Sequence, residues 1–177
     1  MFANWKSSAV SSVLRYGATL LLLSEAAMAL PAELNGLQPL GAGDLRWFGF
    51  KLYDATLYTR QGQPFDWNQP FALSLRYARD IPSARIVDAS VEEMQRYGMP
   101  AERKNSWRAL MQNAFPDVKQ GDEIIGAYQA GSVRFWHNGR LTAAVEDPLF
   151  GRLFFRIWLD PASRAPALRQ QLLRSPG

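Results

Sequence analysis

DEIIGAYQAGSVRFWHNGRLTAAVE, residues 122–146, reads as three short strands joined by two tight turns. Ile124 to Gln129 forms the first strand, and Ala130-Gly131 turns the chain into Ser132 to His137. Asn138-Gly139 is the strongest local turn signal in the chain. A type I′ turn needs positive φ at both central residues, and Asn and Gly tolerate it best. Beyond it, Leu141, Ala143 and Val145 alternate along a third strand. A hairpin-linked meander of this kind builds an antiparallel sheet.

Working upstream, FALSLRYA (71–78) alternates cleanly. Phe71, Leu73, Leu75 and Tyr77 fall on one face, and Ala72, Ser74, Arg76 and Ala78 on the other. Between this strand and the meander lies helical sequence. Ser90-Val91-Glu92-Glu93 has the form of a capping box and predicts a short helix to about Tyr97, ended by Gly98 and Pro100. Residues 101–115 predict the best amphipathic helix. Trp107, Leu110, Met111, Ala114 and Phe115 recur at i, i+3, i+4, i+7 and i+8, and Pro116 stops it. Residues 44–60 read as extended structure whose alternation breaks once, near Phe48-Gly49. The Pro- and Gly-rich stretch 30–43 reads as an irregular lead-in. Downstream, Leu149, Phe150, Leu153, Phe154, Ile157 and Trp158 make a broad apolar stripe, read as ordinary core. A last helix carries Leu168 and Leu172. The order of strands, helices, strands and helices predicts an α+β layer fold, a mainly antiparallel sheet with helices on one face.

Residues 1–29 are expected to be a leader rather than part of the fold. Lys6 and Arg15 precede the short apolar run Ala18–Leu23, and Ala27-Met28-Ala29 supplies an A-x-A cleavage pattern. The run is well short of the roughly 20 residues that cross a bilayer. Export to the periplasm is expected, with residues 30–177 as one domain and no stable membrane anchor after cleavage.

Composition narrows the chemistry. The chain has 177 residues, no Cys and one His. Thiol catalysis, cysteine-ligated metals and multi-histidine metal sites are excluded, so neither a metal nor a cofactor is implied. A net charge of +4 carries a mild preference for anionic ligands. No nucleic-acid signature accompanies it, and no nucleic-acid partner is expected. His137, beside a hairpin tip, reads as a surface residue. Arg46, Arg76 and Arg79 stand out, because each lies in or beside a strand among apolar neighbours. A charge held there needs a partner. That partner is either a nearby acid (Asp44, Asp54 or Asp80) or the carboxylate of a ligand lying along an aromatic wall.

Four stretches carry a resemblance. GAGDLRWFGFKLYDATLY (Gly41–Tyr58), FALSLRYARDI (Phe71–Ile81), FPDVKQGDEIIGAY (Phe115–Tyr128) and FGRLFFRIWLDPAS (Phe150–Ser163) resemble the exported bacterial chalcone isomerase-like proteins. The resemblance implies an open-faced β-sandwich, a large antiparallel sheet covered by helices. It also implies one of two activities. Relatives either isomerise a flavanone precursor with an Arg, a Thr and a Tyr, or bind fatty acids with an Arg and a Tyr on the carboxylate. The family's Arg falls on Arg46, and its Thr or Tyr near Tyr53. The isomerase Tyr falls near Val87 and the binding Asn near Met94, and no T-G-x-x-Y motif is present. The resemblance therefore points to a small amphipathic, fatty acid-like ligand at Arg46 and Tyr53, and the reading of the strands adds Tyr58, as a further hydroxyl, and Arg76 to the expected site. An isomerase with altered residues and a protein-interaction module are the alternatives. Arg46 and Tyr53 are seven apart, so they share a face only if the pattern slips once, which is expected at Gly49.

Overall fold

The computed structural model describes residues 30–174. Six strands form one antiparallel sheet in chain order: β1 (Leu37–Trp47), β2 (Phe50–Arg60), β3 (Phe71–Tyr77), β4 (Glu123–Gln129), β5 (Ser132–His137) and β6 (Arg140–Val145). Helices α1 (Ser83–Arg96) and α2 (Lys104–Ala114) lie between β3 and β4, and α3 (Pro148–Leu159) and α4 (Pro166–Leu172) follow β6. All four helices contribute to a single apolar core on one face of the sheet, here the inner face. This is the α+β layer arrangement expected from the sequence. The leader expected at 1–29 lies outside the described residues.

The meander forms as read. Asn138 and Gly139 have φ of 48° and 77°, and Ala130 and Gly131 have 49° and 86°. Asn138 is held as well as turned. Its Oδ1 accepts from the Glu123 backbone at 2.8 Å, and its Nδ2 donates to Asp122 at 2.9 Å. The 101–115 helix also buries the expected face, through Trp107, Met111, Ala114 and Phe115, after one 3₁₀ turn at Ala101–Arg103. Trp107 reaches further than a core ring. Its indole N–H donates to Asp147 at 3.2 Å, and Asp147 caps α3 by accepting from the backbone of Leu149 and Phe150.

Three expectations are corrected. The lead-in is not irregular throughout, because β1 begins at Leu37. Pro39 is tolerated there because β1 is an edge strand. The alternation is hidden by a register shift at Leu40 and by glycine. A Cβ at Gly41 would stand 2.3 Å from the Gln171 carbonyl oxygen, so glycine is what lets α4 lie against the sheet. The alternation of the extended stretch 44–60 breaks twice rather than once, at the turn of the β1–β2 hairpin, Phe48-Gly49 with φ of 47° and 82°, and again at Leu52. Finally, Ser90 caps nothing. α1 starts seven residues earlier, and the buried Ser90 hydroxyl donates to the Ile86 carbonyl at 2.8 Å. The start of α1 is held from a distance instead, by Asp117 accepting from the Ser83 backbone at 2.8 Å.

Candidate functional site

Strand alternation divides the sheet into two faces of different chemistry. The inner face presents Tyr53, Ala55 and Leu57 of β2, Leu73, Leu75 and Tyr77 of β3, and Ile124 and Tyr128 of β4. α3 lies over them with Phe150, Phe154, Phe155 and Trp158. The layer is tightly closed. The space among Leu73, Leu75, Phe135, Phe154 and Trp158 is about 10 Å³, roughly the room one water needs.

Polar groups enter this layer at one end. The Trp158 indole N–H donates to the Tyr53 hydroxyl at 2.9 Å, and both residues are buried. A buried indole N–H requires an acceptor, and Tyr53 is placed to be one. The Tyr77 ring meets the Tyr53 ring edge-on, with centroids 5.8 Å apart. Burial pushes the Tyr53 hydroxyl far above the ordinary phenol range, partly offset by the Trp158 bond. Burial, reinforced by Tyr53, does the same to Tyr77. Both phenols are therefore neutral at physiological pH. They can donate hydrogen bonds to an oxygen but do not act as bases. Arg79, two residues past Tyr77, stands at the same end of the sheet with its guanidinium 5.3 Å from the Phe50 ring centroid.

Of the four residues expected at the site, the structure puts only Tyr53 on this face. Arg46, Tyr58 and Arg76 face the other way. Arg46 is mostly exposed and pairs with Asp44 at 2.6 Å, the acid partner that the sequence offered as one of two readings. It does not line the small space beneath α3, on the face to which its expected partner Tyr53 points. Arg76 stands between Asp54 and Glu123, its register partners on β2 and β4. Tyr58 packs beside a small second cluster formed by Leu34, Ala72, Ile125, Ala127 and Trp136.

The separation of Arg46 from Tyr53 has a definite cause. The two-residue turn at Phe48-Gly49 supplies the expected slip, pairing Arg46 with Lys51. By itself it would place Tyr53, two residues on, on the Arg46 face. A second slip undoes the first. Leu52 is an extra residue in β2, so Leu45 pairs with Tyr53 and the tyrosine is turned inward.

Sequence reasoning also missed Tyr77 and Trp158 as polar groups. Both sat on patterns read as plain core. The available signal was the N–H and O–H that such rings carry into a buried site. His137, expected at the surface, is only partly exposed, and a further polar group is buried nearby. His137 Nε2 lies 3.4 Å from Asp122, and Glu123 is buried with Ser74 donating to it at 2.5 Å. Asp122 is drawn down from the usual carboxylate range. Its partial burial acts the other way, but the Lys119 backbone, Asn138 and His137 outweigh it. Among the described residues there is no cluster of three or more potential metal ligands, and no helix is long and apolar enough to cross a membrane.

Comparison with known proteins places this arrangement. An uncharacterized protein of Haemophilus influenzae strain Rd is 26% identical over 136 residues, which cover 77% of this chain and 67% of that protein. The crystal structure of a fatty-acid binding protein of Arabidopsis thaliana superposes with a TM-score of 0.63 at 12% identity. The match covers 78% of this chain and 87% of that one. At that identity the likeness is one of fold. The model of a family described as chalcone isomerase-like matches residues 26–174. The chain belongs to the chalcone isomerase-like family.

Proposed function

We propose that this chain is an exported, non-catalytic binder of a fatty acid or a similar amphipathic carboxylate. The acyl tail lies between α3 and the inner face of the sheet. The carboxylate meets the hydroxyls of Tyr53 and Tyr77, with Arg79 at the rim. The observation that carries this reading is the buried Trp158–Tyr53 hydrogen bond, with the Tyr77 ring against Tyr53, at one end of a largely apolar layer. The fatty-acid binding protein that shares the fold supports the choice of ligand class.

Ligand sites of drug size hold about 300–1,000 Å³, against about 10 Å³ in the closed layer. Binding therefore lifts α3 from the sheet. The absence of catalysis is supported by Val87 and Met94. The resemblance puts the isomerase Tyr near Val87 and the family's binding Asn near Met94, and here both are buried apolar residues on α1. Export is supported by the charged start and Ala27-Met28-Ala29. Leu30, directly after them, packs beside the cluster on the outer face.

The tightness of the α3 layer favours a second reading, a protein-interaction module with no small ligand. Native mass spectrometry of protein purified from its own host separates the two. The proposal expects an intact mass for Leu30–Gly177 plus one retained amphipathic acid, lost or reduced in Tyr53→Phe. A ligand-free mass that persists after incubation with long-chain fatty acid supports the second reading. A mass that retains residues 1–29 contradicts export.

A further inference from the structure

We propose that the tip of the β1–β2 hairpin is a docking wedge for an anionic lipid surface. Trp47, Phe48 and Phe50 are 65%, 86% and 64% exposed, the three largest exposures among the big apolar side chains of the described residues. They surround one turn, with only Gly49 between them, and Trp47 pairs with Phe50 across the hairpin. Phe48 occupies a left-handed backbone position, φ 47°, where Asn or Gly is favoured and a bulky ring is strained. Its ring touches the Trp47 ring edge-on, with centroids 5.2 Å apart. The fold offers no internal reason for a phenyl group there.

The charges behind the tip are layered. Trp47 pairs with Phe50, then Arg46 with Lys51, and then, past the Leu45–Tyr53 pair, Asp44 with Asp54. At about 3.4 Å per residue, the backbone positions of the cations sit one step behind the rings and those of the acids about 7 Å further back, although the side chains close that gap into ion pairs. Like charges directly opposite each other cost stability. Each is relieved along its own strand, Arg46 by Asp44 at 2.6 Å and Lys51 by Asp54 at 2.7 Å. Arg79, over Phe50, adds a third cation at the tip. Rings foremost, cations next and acids last is the order that complements a bilayer surface. Aromatic rings settle at the interface, cations meet the phosphates, and acids remain in water. A protein pocket or a second copy of the chain gives no reason for that depth order. The docking is peripheral and reversible, and it does not depend on the proposed ligand.

Residues 30–177 hold every element described among residues 30–174 and are the form that the proposed export leaves, so they are the form to test. The assay is co-sedimentation with vesicles of phosphatidylglycerol and phosphatidylethanolamine, against vesicles of phosphatidylcholine. Wild type should bind the anionic vesicles more strongly, and added salt should weaken that binding. Phe48→Asn places the favoured residue in the turn, so the fold should hold. It should lower the partition coefficient about tenfold, equivalent to ~1.4 kcal/mol. Arg46→Gln should lower it about fivefold on anionic vesicles only. Leu141→Asn, at an exposed apolar residue of β6, should leave it unchanged. Three results overturn the proposal: wild type failing to bind anionic vesicles, Phe48→Asn binding like wild type, or Phe48→Asn abolishing a wild-type dimer in ultracentrifugation with no effect on vesicles.

Discussion

Phe48-Gly49 and Asn138-Gly139 turn the chain with nearly the same backbone. The first residue has φ of 47° in one and 48° in the other, and both second residues are glycines at positive φ. At Asn138 the side chain serves the fold, bonding the Glu123 backbone and Asp122. At Phe48 the side chain works against its own backbone and points into solvent. The difference teaches that one turn is specified by the needs of the sheet. In the other, the sheet carries a residue chosen for something outside it.

The largest test sets a buried ring against the exposed one. Trp107→Ala should cost about 3–5 kcal/mol, through lost burial and a cavity. It also removes the indole bond to the Asp147 cap. Chemical denaturation measures this, and a loss below about 1 kcal/mol would remove the coupling of α2 to α3 from the account. Asn138→Ala comes next. It strands the Glu123 N–H and places alanine at positive φ, for a loss of about 2 kcal/mol. An effect near zero would erase the contrast between the turns.

A third test uses acid. The folded-state pKa of Asp122 is depressed, so its contribution is fully present above the unfolded value near 4. It is lost as pH falls through the folded value. Wild type should therefore lose more Tm on acidification than Asp122→Asn, and parallel losses would contradict the anchoring of the Asn138 turn. The smallest expected effect has the opposite sign. Phe48→Asn should raise stability by about 0.5–1 kcal/mol, by relieving the left-handed strain. Destabilisation would mean that Phe48 supports the fold after all.

The same contrast explains what the sequence revealed. Asn138-Gly139 announces its turn because side chain and backbone agree. Phe48-Gly49 shows only as a break in alternation, because a β-favouring ring stands in the leading position and leaves a bulge and a turn alike in sequence. β1 was masked in the same way, by Pro39 and by glycines whose reason is the later approach of α4. The 101–115 helix and the meander were legible because burial alone sets their periods. Of the site, Tyr53 was legible but its direction was not. The bulge at Leu52 bears no Gly or Pro, and it turns the tyrosine away from Arg46. The partner Tyr53 does meet, Trp158, is 105 residues away in sequence, beyond the reach of any local pattern.

The central claim is that the Tyr53 end of the inner layer receives a carboxylate. Titrating residues 30–177 calorimetrically with a long-chain fatty acid and with the matching alcohol tests it most directly. The acid should bind more tightly by roughly 1.5–3 kcal/mol, the scale of hydrogen bonds to a charged group, and Tyr53→Phe should remove most of that preference. Equal affinity for acid and alcohol, or no binding of either, would contradict it.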